Sequence, residues 1–403
     1  MTGIRFPGVA EAAGRTLGEE EVAALRRVID SGMLSGVWGT EVPALEAAMA
    51  ELHGVAHAVA ASSGTAAIHL ALAGLGLDPG DEVVTSPISD FGTVAPILAC
   101  NAVPVFADVD PLTGNLDPAA VAAAIGPRTR AIVVVHLFGA AAPTAELRAV
   151  ADRHGLALVE DCAQAWLTRT ADDRLAGTTG VAGCFSLQQW KHITCGDGGL
   201  VVTDDAALAR RMRLFADKGW PRDTGRHHVS FGVNYRMTEL QAAVARAQLV
   251  KLPGVLAARR RLAARLVAAV ADVPGITVPG DVDRHAWWLF PFVVDPETGP
   301  DNQAWAARLV AAGIPARAGY LAEGLHCALA LTTAPVYGSS RYPLTSPPAD
   351  AVPGYGPGRC PRAERMIERT LVVVDWNERY TDEHVDAIAS AFRSAIRGTG
   401  RPT

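Results

Sequence analysis

Lysine is scarce in this sequence, and that scarcity is its first informative absence. Of 36 basic residues, only three are lysines, Lys191, Lys218 and Lys251, and the other 33 are arginines. A lysine kept in so arginine-rich a chain calls for an explanation. Lys218 and Lys251 lie in polar segments that look helical, where random sequence drift explains a lysine. Lys191 is therefore the candidate for a chemical role.

Runs of basic residues are also missing. The net charge is −6, and no segment concentrates arginine into the positive patch that nucleic-acid binding requires. No segment approaches the roughly 20 apolar residues that span a bilayer, and the N-terminal stretch MTGIRFPGVAEAAGRT lacks the apolar core of a signal peptide. We therefore expect no nucleic-acid or membrane partner and a cytoplasmic location.

Paired cysteine motifs are absent as well. The six cysteines are spread along the chain without a Cys-x-x-Cys spacing. This argues against a zinc site and against the disulfide framework of a secreted protein. We expect reduced cysteines that mostly pack in the interior, and no metal site.

The sequence does have enough apolar material for a large core, with 403 residues of which 49% are hydrophobic and 19% charged. Short β-branched runs alternate with helical segments, a pattern typical of a mostly parallel sheet covered by helices. These runs occupy 82–85, 103–106, 131–135, 156–161 and 200–204. We therefore predict an α/β fold, with ligands at the carboxyl ends of the strands.

After about residue 250 the pattern changes, which predicts a second, smaller α/β domain. We assign 1–14 to an N-terminal arm, 15–252 to the large domain and 253–403 to the small domain. Within the small domain we predict a helix at 255–272, an apolar stretch at 286–294, a helix near 302–312, a long functional or mobile loop at 333–358, and a final strand and helix. The final helix places Val385, Ile388, Phe392 and Ile396 on one face.

The segment SSGTAAIHLALAGLG at 62–76 is a turn of small residues that leads into an apolar helix. Backbone N–H groups at the start of a helix, with the hydroxyls of Ser63 and Thr65 beside them, can bind a phosphate. The same residues also cap helices in proteins without any ligand, so this segment alone leaves both interpretations open.

Asp161 stands at the predicted carboxyl end of a strand, after the four apolar residues 156–159 and Glu160. A buried carboxylate there needs a partner, because an isolated buried charge is unfavourable. The protonated pyridine nitrogen of pyridoxal 5′-phosphate (PLP) is such a partner, since a carboxylate keeps it protonated. The alternative is an aspartate that caps a helix or lies in a loop.

Lys191 lies between an apolar strand end and a glycine-rich turn, in GCFSLQQWKHITCGDGGLVVTDD at 183–205. An amine in a dry pocket has a lowered pKa, and its neutral form can condense with an aldehyde. Ser186, five residues earlier, could reach the same phosphate as Thr65. The alternative is a solvated surface lysine, which the scarcity of lysine and the apolar flanks disfavour.

The sequence resembles the sugar and cyclitol aminotransferases of the DegT/StrS type, within fold type I of the PLP enzymes. The matching stretches are SSGTAAIHLAL, VPVFADVDPLTGNLDP, VVVHLFG, VEDCAQAW, FSLQQWKHITCGDGGLVVTDD and GVNYRMTELQAAVARAQL. The resemblance implies that Lys191 carries PLP as a Schiff base, that Asp161 pairs with the pyridine nitrogen and that Gln164 contacts the ring or its O3′. It also implies phosphate contacts from Gly64, Thr65 and Ser186. Asn234 would complete that set from a second subunit, in a homodimer with shared active sites.

Several positions depart from the family's pattern and concern the substrate. Trp190 stands where serine is frequent, and the aromatic residue that usually stacks on the ring is replaced by Asp90, with Phe91 beside it. A His-Tyr pair common in enzymes of nucleotide sugars reads Gly319-Tyr320 here. We expect Trp190 and Tyr320 to contact substrate.

Arg236 is a candidate for binding the carboxylate of the amino donor, because a guanidinium matches that geometry. An ion pair at the subunit interface is the alternative. The resemblance implies L-glutamate or L-glutamine as the donor. A keto-sugar, a keto-cyclitol or a related carbonyl intermediate, as in secondary-metabolite biosynthesis, would be the acceptor, and the PLP would alternate with its amino form, PMP.

Three other functions compete with this interpretation. Some members of the family have histidine in place of the lysine and catalyse dehydration, and His192 adjoins Lys191; aligning on Ser186 and GDGG favours Lys191. A non-catalytic PLP-binding regulator is the second alternative, although the cofactor residues are complete. The third, a nucleotide site at GLGLDPG (74–80), conflicts with Pro79 and with a position after a helix, so we predict a helix end and a turn.

Overall fold

The computed structural model describes residues 3–345 and 354–397. Its helices are α1 (Glu19–Ser31), α2 (Glu41–His53), α3 (Gly64–Leu75), α4 (Ala95–Ala99), α5 (Pro118–Ala124), α6 (Thr144–His154), α7 (Ala206–Ala216), α8 (Glu239–Val270), α9 (Asn302–Ala311), α10 (Leu329–Thr332), α11 (Pro361–Arg365) and α12 (Asp382–Arg397). Its strands are β1 (His57–Ala61), β2 (Glu82–Thr85), β3 (Val103–Phe106), β4 (Thr129–Val135), β5 (Ala157–Asp161), β6 (Ala182–Ser186), β7 (Gly199–Thr203), β8 (Ile276–Thr277), β9 (Leu289–Val294), β10 (Ala316–Ala318) and β11 (Leu371–Asp375). Among the described residues, no helix is long and apolar enough to cross a membrane.

The large sheet has seven strands in the order β1-β7-β6-β5-β4-β2-β3. All neighbouring pairs are parallel except those of β7, which runs antiparallel to β1 and β6. The mostly parallel sheet and the five strand segments are therefore confirmed. The sequence analysis missed β1, because His-Ala-Val-Ala-Ala contains a single β-branched residue and owes its extended form to pairing with β7.

The helices end where capping chemistry predicts. The side chain of Asp117 accepts a hydrogen bond from the N–H of Ala119 at the start of α5. Gly155 takes a left-handed conformation after α6. Gly76 does the same after α3. The segment at 74–80 is thus a helix end and a turn, as predicted.

The small sheet has four antiparallel strands in the order β10-β11-β9-β8. It packs with α8, α9 and α12 around a cluster that includes Phe290, Phe292, Trp305 and Phe392. The predicted face of the final helix is part of that cluster. The predicted loop at 333–358 falls in part on 346–353, which lie outside the described residues.

The helix predicted at 255–272 is wrong in its start, because α8 begins at Glu239 and runs for 32 residues through Pro253. Thr238 caps it in a box with Gln241. Proline lacks the N–H that would bond four residues back, which made a break at this position the natural prediction. Tertiary packing outweighs that loss: Leu252 and Leu256 lie in the core beside the large sheet, and Leu266 lies in the core of the small sheet. The boundary predicted between 252 and 253 therefore falls inside one helix, and the domain limits stay a prediction.

Candidate active site

A cavity of about 650 Å³ lies where the strands β5 and β6 end, between the two sheets. Asp161 is the last residue of β5 and Ser186 the last of β6, and both line it. Gly64 and Thr65 at the start of α3 and Lys191 from the loop after β6 line it as well. The chain thus brings together five residues that the sequence analysis predicted at one site.

The start of α3 forms one wall of this cavity. Ser63 caps the helix through a hydrogen bond of 3.0 Å from the N–H of Ala66. A Cβ added to Gly64 would lie 2.6 Å from the Cβ of Ser186, so only glycine allows the two segments to approach this closely. The first N–H groups of α3 and the hydroxyls of Thr65 and Ser186 therefore converge on one small volume, a suitable site for a phosphate.

Asp161 also lines the cavity, with 5% of its surface exposed. Its carboxylate accepts hydrogen bonds from the hydroxyl of Thr93 (2.8 Å) and the N–H of Ala163 (3.1 Å). Burial raises the pKa of Asp161, although these two bonds and the charge of Lys191 act in the other direction. A cation placed against this carboxylate would favour its ionised form, and a protonated pyridine nitrogen is such a cation.

Lys191 is 9% exposed, and its amine lies 4.4 Å from the centre of the Trp288 ring. Burial lowers the pKa of Lys191, while the carboxylates of Asp161 and Asp90 raise it. His192 lies outside the cavity lining, where its Nε2 donates to the carbonyl of Ala286 at 3.0 Å. The residue that faces the cavity is therefore the lysine, as the alignment predicted.

Gln164 is buried beside the cavity rather than in its lining. Its Oε1 accepts a hydrogen bond of 2.7 Å from the N–H of Phe138, and its side chain also bonds to Tyr320. Tyr320 lines the cavity, and burial raises the pKa of its hydroxyl. In this chain Gln164 thus supports Tyr320, and its direct contact with a cofactor ring stays a prediction.

Trp190, Asp90 and Phe91 occupy different surroundings. Trp190 lines the mouth of the cavity and is 52% exposed. Asp90 also lines it and caps a short helix at 91–93 by accepting from the N–H of Gly92 at 2.7 Å. Phe91 packs away from the cavity, against the cluster that contains Leu98 and Leu325. Phe91 therefore does not replace the stacking residue from this position.

Asn234 and Arg236 lie away from the cavity of their own chain. Arg236 forms an ion pair with Asp217, which also binds Arg222 at 2.6 Å and Lys218 at 3.0 Å. Burial opposes ionisation of Asp217, but the bonds from Arg222 and Lys218 and the charge of Arg236 lower its pKa to about 2. The guanidinium of Arg236 is thus engaged within its own chain, and roles for Asn234 and Arg236 in a partner's site stay predictions.

The sequence analysis missed several residues of the cavity. Thr93 holds Asp161, and Trp288 covers the amine of Lys191. Arg317 and Asp375, 2.5 Å apart, line the cavity from the ends of the small sheet, and the arm at 6–9 closes one side. Trp288 lies in the apolar stretch predicted at 286–294, where nothing local distinguishes a cavity residue from a core residue.

Comparison with known proteins identifies related chains. Residues 15–393 match the sequence model of the "DegT/DnrJ/EryC1/StrS aminotransferase family". The spore coat polysaccharide biosynthesis protein SpsC of Bacillus subtilis (strain 168) is 38% identical over 291 residues, which are 69% of this chain and 74% of SpsC.

Solved structures resemble the whole chain. NtdA from Bacillus subtilis with bound cofactor PMP superimposes with a TM-score of 0.82 at 25% identity, over 98% of this chain and 86% of NtdA. DesI in the presence of its TDP-sugar product superimposes with a TM-score of 0.79 at 33% identity, over 96% of this chain and 92% of DesI.

Proposed function

This chain belongs to the DegT/DnrJ/EryC1/StrS aminotransferase family and is a PLP-dependent aminotransferase, and from that premise we propose that it transfers the amino group of L-glutamate or L-glutamine to a keto-sugar, a keto-cyclitol or a related carbonyl compound. The observation that carries this proposal is that the amine of Lys191 is buried in the same cavity as the carboxylate of Asp161. The proposed setting is a cytoplasmic pathway of secondary metabolism.

The residues of the cavity fit PLP in charge and in shape. When bound, PLP supplies an aldehyde carbon that takes up the amino group and a protonated pyridine ring that draws electrons away from it. Gly64, Thr65 and Ser186 would hold the phosphate, since the absence of a Cβ at Gly64 lets the start of α3 lie against Ser186. Asp161 would hold the pyridine nitrogen, because burial raises the pKa of its carboxyl and a cation bound against it would favour the ionised form.

Lys191 has two tasks in this proposal. When PLP is bound, the amine of Lys191 would hold its aldehyde carbon, and burial, which lowers the pKa of Lys191, would favour the neutral form that this requires. With a donor in the cavity, the same amine would accept the proton from the donor's α-carbon, and its burial would keep water from competing for that proton. Thr93 and the N–H of Ala163 keep Asp161 in place throughout.

The overall exchange balances without any further reactant. The donor's α-carbon gives up its amino group, a proton and an electron pair, and it becomes the carbonyl carbon of a 2-oxo acid with oxygen from water. The acceptor's carbonyl carbon receives nitrogen, a proton and an electron pair, and its oxygen leaves as water.

The cavity lining suits an acceptor that carries hydroxyl groups. Arg317 and Asp375 offer donors and acceptors of hydrogen bonds, and Tyr320 and Trp288 offer aromatic surface. Aromatic rings pack against the C–H faces of saturated rings, while charged groups bind their hydroxyls. Relatives of the family include DesI, whose structure was determined with its TDP-sugar product.

The test is a pair of half-reactions. Purified protein loaded with PLP is expected to absorb in the visible range and to lose that absorbance when L-glutamate or L-glutamine is added, as the 2-oxo acid forms in equal amount. The aminated enzyme is then mixed with a panel of keto-sugars, keto-cyclitols and simple 2-oxo acids, and recovery of the absorbance identifies the acceptor class. Absence of any response to amino donors would reject transamination, and loss of water from a deoxy-sugar substrate would favour the dehydratase alternative.

A further inference from the structure

The backbone around Lys191 is held by two side chains that come from distant parts of the chain. The carbonyl of Trp190, which precedes the Cα of Lys191, accepts a hydrogen bond of 2.6 Å from the indole Nε1 of Trp288. The carbonyl of Lys191 itself accepts one of 2.9 Å from Nη1 of Arg15. Both peptide groups that flank this Cα are therefore fixed from outside the loop.

Arg15 occupies a position that stability alone does not explain. Its side chain is 3% exposed, and its Nε and Nη2 have no hydrogen-bond partner among the described residues. Burial lowers the pKa of Arg15, and the carboxylate of Glu378 partly opposes this effect. Buried donors without partners are unfavourable, so a guanidinium that makes one directional bond here needs another reason to be kept. That one bond ends on Lys191.

Trp288 acts on the same loop from the small-domain side. Its ring covers the amine of Lys191 at 4.4 Å, while its N–H holds the preceding carbonyl. Tyr320 packs edge-on against the ring, with centroids 6.0 Å apart, and restricts its movement. One residue thus fixes both the backbone and the surroundings of the amine.

We propose that Arg15 and Trp288 are positioning residues, which fix the two peptide groups on either side of the Lys191 Cα and so direct its amine towards the reacting carbon. The part of this proposal that concerns proton removal from the donor rests on the proposed function. The part that concerns the resting amine does not, since it involves only the condensation of Lys191 with PLP.

The test uses Trp288→Phe, which keeps a ring over the amine and removes the N–H, and Arg15→Leu, with Arg15→Lys as the conservative variant. The matched control is Trp287→Phe. Trp287 is the adjacent residue, it is fully buried, and its Nε1 donates to the carbonyl of Val282 at 3.0 Å, away from the Lys191 loop. The substitution Trp287→Phe therefore also removes a hydrogen bond from an indole N–H to a backbone carbonyl, in the same segment of the chain.

The first readout is the rate at which the full-length apoprotein takes up PLP, followed by the visible absorbance. Trp288→Phe and Arg15→Leu should slow uptake by roughly tenfold or more, because small displacements of a reacting group have large effects on rate, and Trp287→Phe should change it by less than about twofold. Arg15→Lys should recover part of the loss. If Trp288→Phe took up PLP as fast as the wild type, or if Trp287→Phe were slowed equally, the proposal would be wrong.

The second readout is the single-turnover reaction with L-glutamate that carries hydrogen or deuterium at the α-carbon. In Trp288→Phe the isotope effect should exceed that of the wild type, with the dependence on glutamate concentration unchanged, because proton removal becomes slower while donor binding does not. An unchanged isotope effect would overturn the role in proton removal. A wild type that takes up PLP but reacts with no amino donor would reject the proposed function alone, and the uptake rates would still decide the positioning role. Should Arg15→Leu fail to fold, the uptake rate and the isotope effect of Trp288→Phe still test the proposal.

Discussion

The imidazole of His136 and the carboxylate of Glu160 lie 3.0 Å apart, both side chains are completely buried, and Glu160 directly precedes Asp161 in β5. Nδ1 of His136 accepts from the N–H of Ala142, so Nε2 carries the proton that is donated to Glu160. Burial alone would raise the pKa of Glu160, but the bond from His136 and the N–H groups of Gly180 and Gly177 hold this pKa below its ordinary value. The pair fixes β4, β5 and the turn at 177–180 next to Asp161.

Glu160→Gln should therefore destabilise the protein. An amide matches the shape of the carboxylate but presents an N–H₂ group to donors, so at least one buried N–H loses its partner, at about 2–4 kcal/mol. Urea unfolding at neutral pH measures this, with the exposed Glu19→Gln as the control. A loss no larger than in the control would contradict the central role of this carboxylate.

Gly64→Ala should abolish tight cofactor binding, because the new Cβ would meet the Cβ of Ser186 at 2.6 Å. Gly254→Ala is the control: Gly254 lies inside α8 with open space around its Cα, and alanine there should stabilise the helix by about 1 kcal/mol. Titration of each apoprotein with PLP tests both expectations. Equal affinity in the two variants would show that the start of α3 does not hold the phosphate.

Asp161→Asn should leave the fold and the bond from Thr93 in place while removing the negative charge. We expect PLP still to bind and the half-reaction with L-glutamate to slow by roughly 100-fold or more, because the pyridine nitrogen loses the group that keeps it protonated. Thr93→Val, which keeps the charge and removes one hydrogen bond, should lose far less. Full turnover of Asp161→Asn would show that the pyridine nitrogen is held elsewhere.

Asp217 should contribute stability that depends on pH in the acid range. Its pKa in the folded chain is about 2, below the value of roughly 3.9 in an unfolded chain, so its contribution of about 2 kcal/mol is complete above pH 4. It is lost as the pH falls from 4 towards 2, where the folded form also takes up the proton. The difference in unfolding free energy between the wild type and Asp217→Asn should therefore be constant from pH 7 to 5 and shrink below pH 4. A difference that grew on acidification would contradict the assignment.

Shared active sites can be tested by mixing two inactive variants, Lys191→Ala and Asn234→Ala, after reversible dissociation. If Asn234 serves the site of a partner subunit, a heterodimer has one site with both changes and one with neither, and part of the activity returns. Mixing Lys191→Ala with Asp161→Ala is the control, because both residues line one cavity of one chain and no intact site can form. Heterodimers without recovered activity, or an active monomer, would reject the shared site.

Local patterns were sufficient for much of the large sheet and for the cofactor end of the cavity. The runs at 82–85 and 103–106 form parallel strands, as their β-branched residues predicted. Lys191, Asp161 and Ser186 follow strand ends, so a parallel sheet places them at one edge. The alanine-rich β1 and the continuation of α8 through Pro253 could not be predicted, since pairing and packing decide both.

The acceptor end of the cavity was beyond sequence reasoning for a different reason. Trp288 directly precedes β9 and Arg317 lies in β10, and neither residue stands in a pattern that indicates chemistry. Their roles arise only when the two sheets are placed together. Phe91 shows the converse, because it adjoins Asp90 in the sequence but packs against Leu98, outside the cavity lining.

The course of α8 also determines how the cavity can widen. The first half of this helix is embedded beside the large sheet and the second half beside the small one, so no slack linker separates the two walls. Any movement of one wall relative to the other would have to bend the helix itself. Bending is easiest at Pro253, because proline has no N–H to donate to the carbonyl of Leu249. A helix that belongs to both cores thus makes the width of the cavity depend on the straightness of α8.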